Sequence, residues 1–286
     1  MTPTLDLDLL RTFVAVADTG SLTRAAVHVG RSQPAVTLRI QRMEEALACR
    51  LFDRTSRRLT LTQAGEMLLG YGRRIIALSD EAVARLTEPG VSGLVRLGTP
   101  EDFATMHLAV VLEAFTRTYP NVALEVTTDL TLNLLERFQR GDFDLVLVKR
   151  DPAAPVEGVR VWREPLVWAC AARRAEDFGP QARETPLVVS PAPCVYRKRA
   201  QMALDAAGRP WRVAYTSTSM AGAQAAVRAG LGLAVLPKDM VPADFVVLGA
   251  ASGLPDLHDA EIALITASTA QPSVRRLSEH IVRSLG

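Results

Sequence analysis

The pattern of the chain changes near residue 90, and this change constrains the fold more than any other feature. In residues 6–86 the apolar positions recur almost throughout at the spacing of helices, with one short interruption at residues 51–62. Beyond residue 93, short apolar strands alternate with amphipathic helices. Glu88-Pro89-Gly90 separates the two patterns, and proline and glycine mark a break in regular structure. We therefore expect two folding units joined by a hinge at residues 89–93.

The first 62 residues predict three helices followed by a hairpin. Gly20 ends the first helix, and Gly30-Arg31 separates the second from the third. The third helix has Val36, Ile40, Met43 and Leu47 at a 4-3-4 spacing, which gives one buried face. Leu59 to Thr62 alternates with a period of two and predicts a small strand beside Leu51-Phe52. Residues 1–62 thus predict a helix-turn-helix with a β-hairpin wing.

Residues 63–88 predict one long linker helix with a heptad seam. Small and apolar residues recur along it at a 4-3 spacing, as in a coiled coil, and Leu69, Ile76 and Val83 are the candidate dimer contacts. The whole seam consists of Gly65, Leu69, Gly72, Ile76, Ser79, Val83 and Leu86. The adjacent row, Leu68, Ile75 and Ala82, widens the seam. We expect a partner helix from a second copy to cover it, and the alternative is packing within the same chain.

Residues 94–286 predict an α/β domain with two lobes. Two successive series of strands and helices occur, and each favours a mostly parallel sheet. Lobe I is expected at about residues 94–163 and 262–286, and lobe II at about residues 164–261. Ligands of such sheets lie beyond the carboxyl ends of the strands.

A basic, polar surface is predicted on the outer face of the third helix and on the wing. The net charge of the whole chain is only +2. Between Arg31 and Arg58, however, seven arginines stand against three acids. Clustered arginines suit phosphates, and Gln33 suits a base edge in the major groove. The DNA-binding candidates are Arg31, Ser32, Gln33, Pro34, Ala35, Thr37, Leu38, Arg42, Arg54, Arg57 and Arg58.

The first 65 residues resemble the LysR-type transcriptional regulators. The resemblance lies in Leu9 to Ala26, in Ser32 to Thr37, in Leu51 to Arg54 and in Leu59 to Gly65. It implies an N-terminal all-α winged helix-turn-helix plus linker helix, and a C-terminal α/β domain of two lobes resembling type 2 periplasmic binding proteins. It also implies homodimers that often form tetramers, binding to double-stranded operator DNA, and contact with RNA polymerase in an activator. Leu38 departs from the family pattern, which more often has a polar residue there.

A small effector is then expected between the two lobes. The resemblance places it there, and the strand ends supply its candidate contacts. Several of these hydroxyls could equally be simple helix caps. Cys194 precedes a predicted helix, but no other cysteine follows closely, so we expect packing or cleft lining there and no redox switch. The effector-binding candidates are Thr99, Glu101, Thr128, Ser190, Cys194, Thr218 and Ser219.

Catalysis finds no support in the sequence. The chain has no phosphate-binding loop, nucleophile elbow or zinc-protease motif, and its four histidines are scattered, so we expect no catalytic residue, metal or cofactor. It also shows no signal peptide and no long apolar run, which predicts a cytoplasmic protein without a membrane partner. The alternatives are a free-standing solute-binding protein and, more remotely, a metabolic enzyme.

Overall fold

The computed structural model describes residues 4–54, 59–88, 90–150, 157–180 and 182–285. The chain divides into two compact units, Met1–Pro89 and Gly90–Gly286. The first unit contains α1 (Leu7–Thr19), α2 (Leu22–His28), α3 (Gln33–Leu47), β1 (Phe52–Arg54), β2 (Leu59–Leu61) and α4 (Gln63–Thr87).

Local capping explains where the helices of the first unit begin. The side chain of Asp6 accepts hydrogen bonds from the backbone N–H groups of Asp8 and Leu9, and Ser21 caps α2 in the same way. Gly20 ends α1 in the left-handed conformation, with a φ of 58°. Ser32 occupies the cap position of α3, but its hydroxyl makes no capping hydrogen bond. That hydroxyl therefore stays available for another partner.

One apolar core holds the first unit together. Val36, Ile40 and Met43 of α3 are buried, so the spacing predicts the buried face of this helix correctly. They pack with Leu10 and Phe13 of α1. The strands β1 and β2 pair antiparallel, Phe52 opposite Leu61, and form the expected hairpin. The winged helix-turn-helix of the sequence analysis is thus present.

Among the residues that the structure describes, the second unit has three helices and three strands before the long strand Val159–Ala171. They are β3 (Gly93–Thr99), α5 (Glu101–Phe103), α6 (Ala109–Thr118), β4 (Val122–Thr128), α7 (Thr131–Gln139) and β5 (Leu145–Arg150), with a π turn at Ala104–Leu108 joining α5 to α6. The remaining elements are β6 (Val159–Ala171), β7 (Thr185–Val189), α8 (Val195–Ala206), β8 (Trp211–Thr216), α9 (Met220–Arg228), β9 (Ala234–Pro237), β10 (Phe245–Leu248), β11 (Asp259–Thr266) and α10 (Pro272–Leu285).

Two of these strands pass from one lobe to the other. Val161 of β6 belongs to the core of lobe I, whereas Leu166 and Trp168 of the same strand belong to that of lobe II. On β11, Ile262 lies in the first core and Ala260 in the second. Both lobes are therefore built on the same pair of long strands.

The sheets are less parallel than the sequence predicts. The pairs β3–β4, β3–β5 and β7–β8 are parallel as expected. However, β11 pairs antiparallel with both β5 and β6, and β6 pairs antiparallel with β9 and β10. A βαβ unit makes its two strands parallel, because a helix connects them. The strands that cross between the lobes are not joined to their neighbours in this way, so they can pair antiparallel. The result is a mixed α/β domain.

Candidate nucleic-acid interface and candidate ligand cavity

The outer face of α3 presents the predicted polar and basic residues. Arg31, Ser32, Gln33, Pro34 and Arg42 are exposed, and Ala35 and Thr37 are partly exposed. Leu38 is 48% exposed, although it is a large apolar side chain. Thr37 donates a hydrogen bond from Oγ1 to the backbone oxygen of Gln33 at 3.0 Å, one turn back along the helix. The face therefore offers groups that suit both phosphates and base edges.

Asp8 compensates part of the positive charge at this surface. Its carboxylate lies 2.6 Å from a guanidinium nitrogen of Arg39 and 3.4 Å from one of Arg31. The hydrogen bond from Arg39 is the main cause that lowers the pKa of Asp8. Arg39 is thus committed to α1, and a phosphate would compete with Asp8 for Arg31.

The wing is described only in part. Arg54 ends β1, while its side chain and the residues Arg57 and Arg58 lie outside the described residues. The structure shows how the wing is attached to α3. Glu44 of α3 is buried, and its Oε1 accepts backbone hydrogen bonds from Leu51 at 2.8 Å and from Phe52 at 3.3 Å.

Sequence reasoning missed the role of Glu44, although its position could have revealed it. Glu44 follows Ile40 by four residues and therefore lies next to the buried stripe of α3. An acid on a buried stripe needs donors, and the two backbone N–H groups at the start of β1 supply them.

Part of the predicted heptad seam of α4 packs within its own unit. A Cβ on Gly65 would lie 2.2 Å from the backbone oxygen of Leu51, and one on Gly72 would lie 3.0 Å from Leu10 Cδ1. Leu69 and Ile76 are half-buried and pack against the same core. Only toward the end of the helix is the seam exposed, at Val83 and Leu86.

The neighbouring row of α4 is the exposed apolar one. Tyr71, Ile75, Leu78 and Ala82 are exposed and recur at a 4-3-4 spacing. Leu78, for example, is 58% exposed. This row has the periodicity of a coiled-coil contact and remains available for another helix.

A cavity of about 520 Å³ lies between the two lobes of the second unit. Six of the seven predicted contact residues line it, and they come from both lobes. The walls also contain Asp102, Asp129, Asn133, Lys149, Tyr196 and Arg197. The six predicted residues are Glu101, Thr128, Ser190, Cys194, Thr218 and Ser219.

Thr99 does not reach this cavity. Its side chain is fully buried at the end of β3, and its Oγ1 lies 3.4 Å from the backbone oxygen of Pro100. Thr99 and Thr128 are paired neighbours on parallel strands, yet only Thr128 is exposed and lines the cavity. The expectation for Thr99 placed it at the right strand end but did not foresee its burial.

The hydroxyl of Ser219 has a structural task in addition to its place in the cavity wall. Its Oγ accepts a hydrogen bond from the backbone N–H of Gly222 at 3.2 Å and caps α9. The same helix end contacts lobe I, because the N–H of Met220 donates to Oε2 of Glu101 at 3.3 Å. Glu101 therefore joins the two lobes at the rim of the cavity.

A cluster of charged and aromatic groups forms another part of the wall. The ammonium group of Lys149 pairs with Asp102 and lies 3.7 Å from the centroid of the Tyr196 ring. The hydroxyl of Tyr196 donates to Oε2 of the buried Glu164 at 2.6 Å. Sequence reasoning found neither Tyr196 nor Glu164, because their pairing joins residues 32 positions apart that only the folded chain brings together.

The three cysteines lie in different surroundings. Cys194 is half-buried and lines the cavity, Cys170 is fully buried, and Cys49 belongs to the first unit. Burial raises the pKa of the Cys170 thiol to about 11, which makes it unreactive. Among the described residues, no group of three or more histidine, cysteine or acidic side chains could hold a metal ion.

Both units match known families. The model of the bacterial regulatory helix-turn-helix proteins of the lysR family matches residues 7–66, and that of the LysR substrate binding domain matches residues 88–286. The chain belongs to the LysR family. It is a DNA-binding transcription regulator with an effector-binding domain.

Relatives and solved structures agree with this assignment. The HTH-type transcriptional regulator PecT of Dickeya dadantii is 37% identical over 256 residues, which cover 89% of this chain and 79% of PecT. The regulator DgdR of Burkholderia cepacia is 37% identical over 262 residues, which cover 91% of this chain and 87% of DgdR. Both are named transcriptional regulators.

Full-length LysR-type structures share the fold. Full-length CbnR, solved with its target DNA, matches with a TM-score of 0.51 at 22% identity and covers 99% of this chain and 100% of that one. DarR of Vibrio fischeri, also solved with DNA, matches with a TM-score of 0.53 at 17% identity, covering 98% and 99%. Among the described residues, no helix of the chain could span a membrane.

Proposed function

We propose that this LysR-type regulator binds operator DNA as a homodimer through α3 and the wing, and that a small molecule in the interlobe cavity modulates its activity. The exposed polar face of α3, backed by the buried Val36, Ile40 and Met43, is the observation that carries the DNA-binding part. This arrangement suits a recognition helix in the major groove.

Within this proposal, the residues of α3, of the turn before it and of the wing have three roles. Gln33 and Leu38 face base edges, and Pro34 and Ala35 allow the backbone to come close to the DNA. Arg31, Ser32, Thr37 and Arg42 contact phosphates or base edges, and the wing arginines Arg54, Arg57 and Arg58 contact flanking phosphates. Phosphate contacts fix the position of the helix, whereas base contacts give sequence preference.

The dimer is proposed to form through the exposed row of α4. Tyr71, Ile75 and Leu78 present large apolar side chains at a coiled-coil spacing, and Ala82 allows close approach. A second copy of the same helix would cover this row. Two such dimers could join into a tetramer, and an activator of this kind would also contact RNA polymerase.

The effector is proposed to be a small polar molecule. A cavity of about 520 Å³ is of the size that holds a metabolite. Its wall offers hydroxyls from both lobes, at Thr128, Ser190 and Thr218. A ligand that contacts both lobes would change how they sit together, which is how binding can reach the DNA-binding unit. No catalytic role, cofactor or metal is part of this proposal.

Two measurements test the function. The full chain should retard DNA from the region upstream of its own gene at physiological salt, and a metabolite found by thermal-shift screening should change that binding or the resulting transcription. A chain that binds metabolites but no DNA fragment would instead support a solute-binding protein. Turnover of a metabolite would favour an enzyme.

Leu38 is predicted to read one base pair. A leucine side chain exposed to water makes no favourable contact, but in the major groove it can pack against a thymine methyl group. Leu38→Gln should change the preference at one position of the operator by about 1–2 kcal/mol. Selection from random operators with both proteins measures this change. An identical consensus for the two proteins would refute it.

Thr128 and Thr218 are predicted to bind the effector by hydrogen bonds. Thr128→Val and Thr218→Val keep the shape and remove a hydroxyl, so each should weaken the affinity for the screened effector by about 0.5–1.5 kcal/mol. Thr99→Val is the matched control, because Thr99 is buried away from the cavity. Titration calorimetry measures the affinities. If neither cavity variant weakens binding, the effector lies elsewhere.

A further inference from the structure

Glu164 lies where β6 passes from lobe I to lobe II. Its backbone pairs with Ala260 of β11, and two residues later Leu166 pairs with Pro237 of β9. The side chain is fully buried, and its Oε1 has no hydrogen-bond partner among the described residues. A buried carboxylate oxygen without a donor costs free energy. The place where β6 passes between the lobes thus holds a buried carboxyl group, Glu164, whose presence packing alone does not explain.

Titratable and charged groups approach Glu164 from the elements packed around it. Tyr196 of α8 holds Oε2, and Lys149 of β5, paired with Asp102, lies against the ring of Tyr196. On β11 the direct neighbour is Ala260, and the strand positions on either side of it point to the opposite face of the sheet. Other ionisable side chains of the surrounding elements are Asp239, whose carboxylate lies 3.3 Å from Nε2 of His107, and the β11 acids Asp259 and Glu261, which pair with Arg163, Arg150 and Arg160.

The charge of Glu164 changes in the neutral range. Burial raises the pKa of its carboxyl to about 7, against the opposing effects of Lys149 and of the Tyr196 hydroxyl. The arrangement in the structure, called the closed form below, therefore favours the protonated carboxyl. In an open form, with water between parted lobes, the ionised carboxylate would be stabilised, because a hydrated carboxylate returns toward its ordinary pKa.

We propose that Glu164 is a positioning residue for the cavity, whose protonation sets how closely α8 and Tyr196 approach the opposite lobe. The regulatory consequence rests on the proposed function, because it makes the effector site wider when Glu164 is ionised. The effect of protonation on the distance between α8 and the opposite lobe does not depend on the proposed function. Tyr196 carries the effect, since it contacts Glu164 with its hydroxyl and lines the cavity.

The direction of the pH dependence follows from linkage. The closed form binds one more proton than the open form between the two pKa values of Glu164, so opening becomes easier as the pH rises toward 7 and levels off above it. Cys194 reports on the opening, because it lines the cavity two residues before Tyr196. In a Cys49→Ser chain the only other thiol is the fully buried Cys170.

The experiment measures the rate at which a maleimide labels Cys194 in the full-length Cys49→Ser chain, with and without Glu164→Gln. At each pH, the rate for the chain with Glu164 is divided by the rate for the Glu164→Gln chain. This ratio removes the effect of the ordinary ionisation of the thiol. The ratio should rise about twentyfold between pH 5.5 and 7.5 and then level off. An ionised Glu164 would by itself suppress the thiolate, so its charge cannot produce this rise.

Two further variants complete the test. Glu176→Gln removes an exposed carboxyl from the same lobe and should leave the pH profile of labelling unchanged. Tyr196→Phe removes the hydroxyl that stabilises the carboxylate, so its labelling should be faster than wild type at pH 7.5; it also serves if Glu164→Gln does not fold. A ratio that stays constant from pH 5.5 to 8 overturns the proposal. This outcome is independent of the effector, whose binding site is tested by the threonine variants.

Discussion

Leu78→Asp should split the proposed homodimer and lower operator affinity about 10²–10⁴-fold, because a monomer loses the second half-site and with it the gain from simultaneous binding. Leu78 is 58% exposed on α4, so the change should leave the monomer folded. A charged side chain in the middle of a helix pair is costly to bury. Sedimentation and operator titration measure the two effects.

Two other variants make this result specific. Leu132→Asp changes a similarly exposed leucine, 53% exposed on α7, and should leave the dimer intact. Ile76→Asp lies on the other row of α4 and should destabilise the first unit itself, because Ile76 packs against its core. A Leu78→Asp chain that remains dimeric and binds the operator as tightly as wild type would show that the exposed row is not the dimer contact.

Glu44→Ala should destabilise the first unit by about 2–4 kcal/mol, because the backbone N–H groups of Leu51 and Phe52 lose a buried acceptor. The hairpin would lose its attachment to α3, so operator affinity should fall as well. Urea unfolding followed by circular dichroism measures the stability, and amide exchange at Leu51 and Phe52 measures the local effect.

The neighbouring acid provides the control. Glu45→Ala removes an exposed carboxyl from the next position of α3 and should change stability by less than about 0.5 kcal/mol. Glu44→Gln keeps one carbonyl acceptor, so its stability should lie between those of Glu44→Ala and Glu45→Ala. If Glu44→Ala and Glu45→Ala have equal stability and equal amide protection, the buried carboxylate does not anchor the wing.

The sequence predicted the first unit well because its signals are local. The 4-3-4 spacing of Val36, Ile40 and Met43 defines one face of α3 from residues within a few turns of each other. The end of α1 at Gly20 likewise depends on one residue and its left-handed backbone. Such signals do not depend on the rest of the fold, and so α3 could be predicted with its outward face.

Long-range packing decided what the sequence left open. Periodicity marked adjacent apolar rows on α4, but the packing of Gly65, Leu69, Gly72 and Ile76 against the core of the first unit determines which row is covered. Strand ends pointed to the cavity, but the burial of Thr99 depends on how the end of β3 packs in its lobe. The pairing of Glu164 with Tyr196 joins residues 32 positions apart. The sequence by itself determined which faces are apolar and where elements begin and end, since these follow from neighbouring residues. The tertiary structure alone decided which face meets which partner, since that depends on groups brought together from distant parts of the chain.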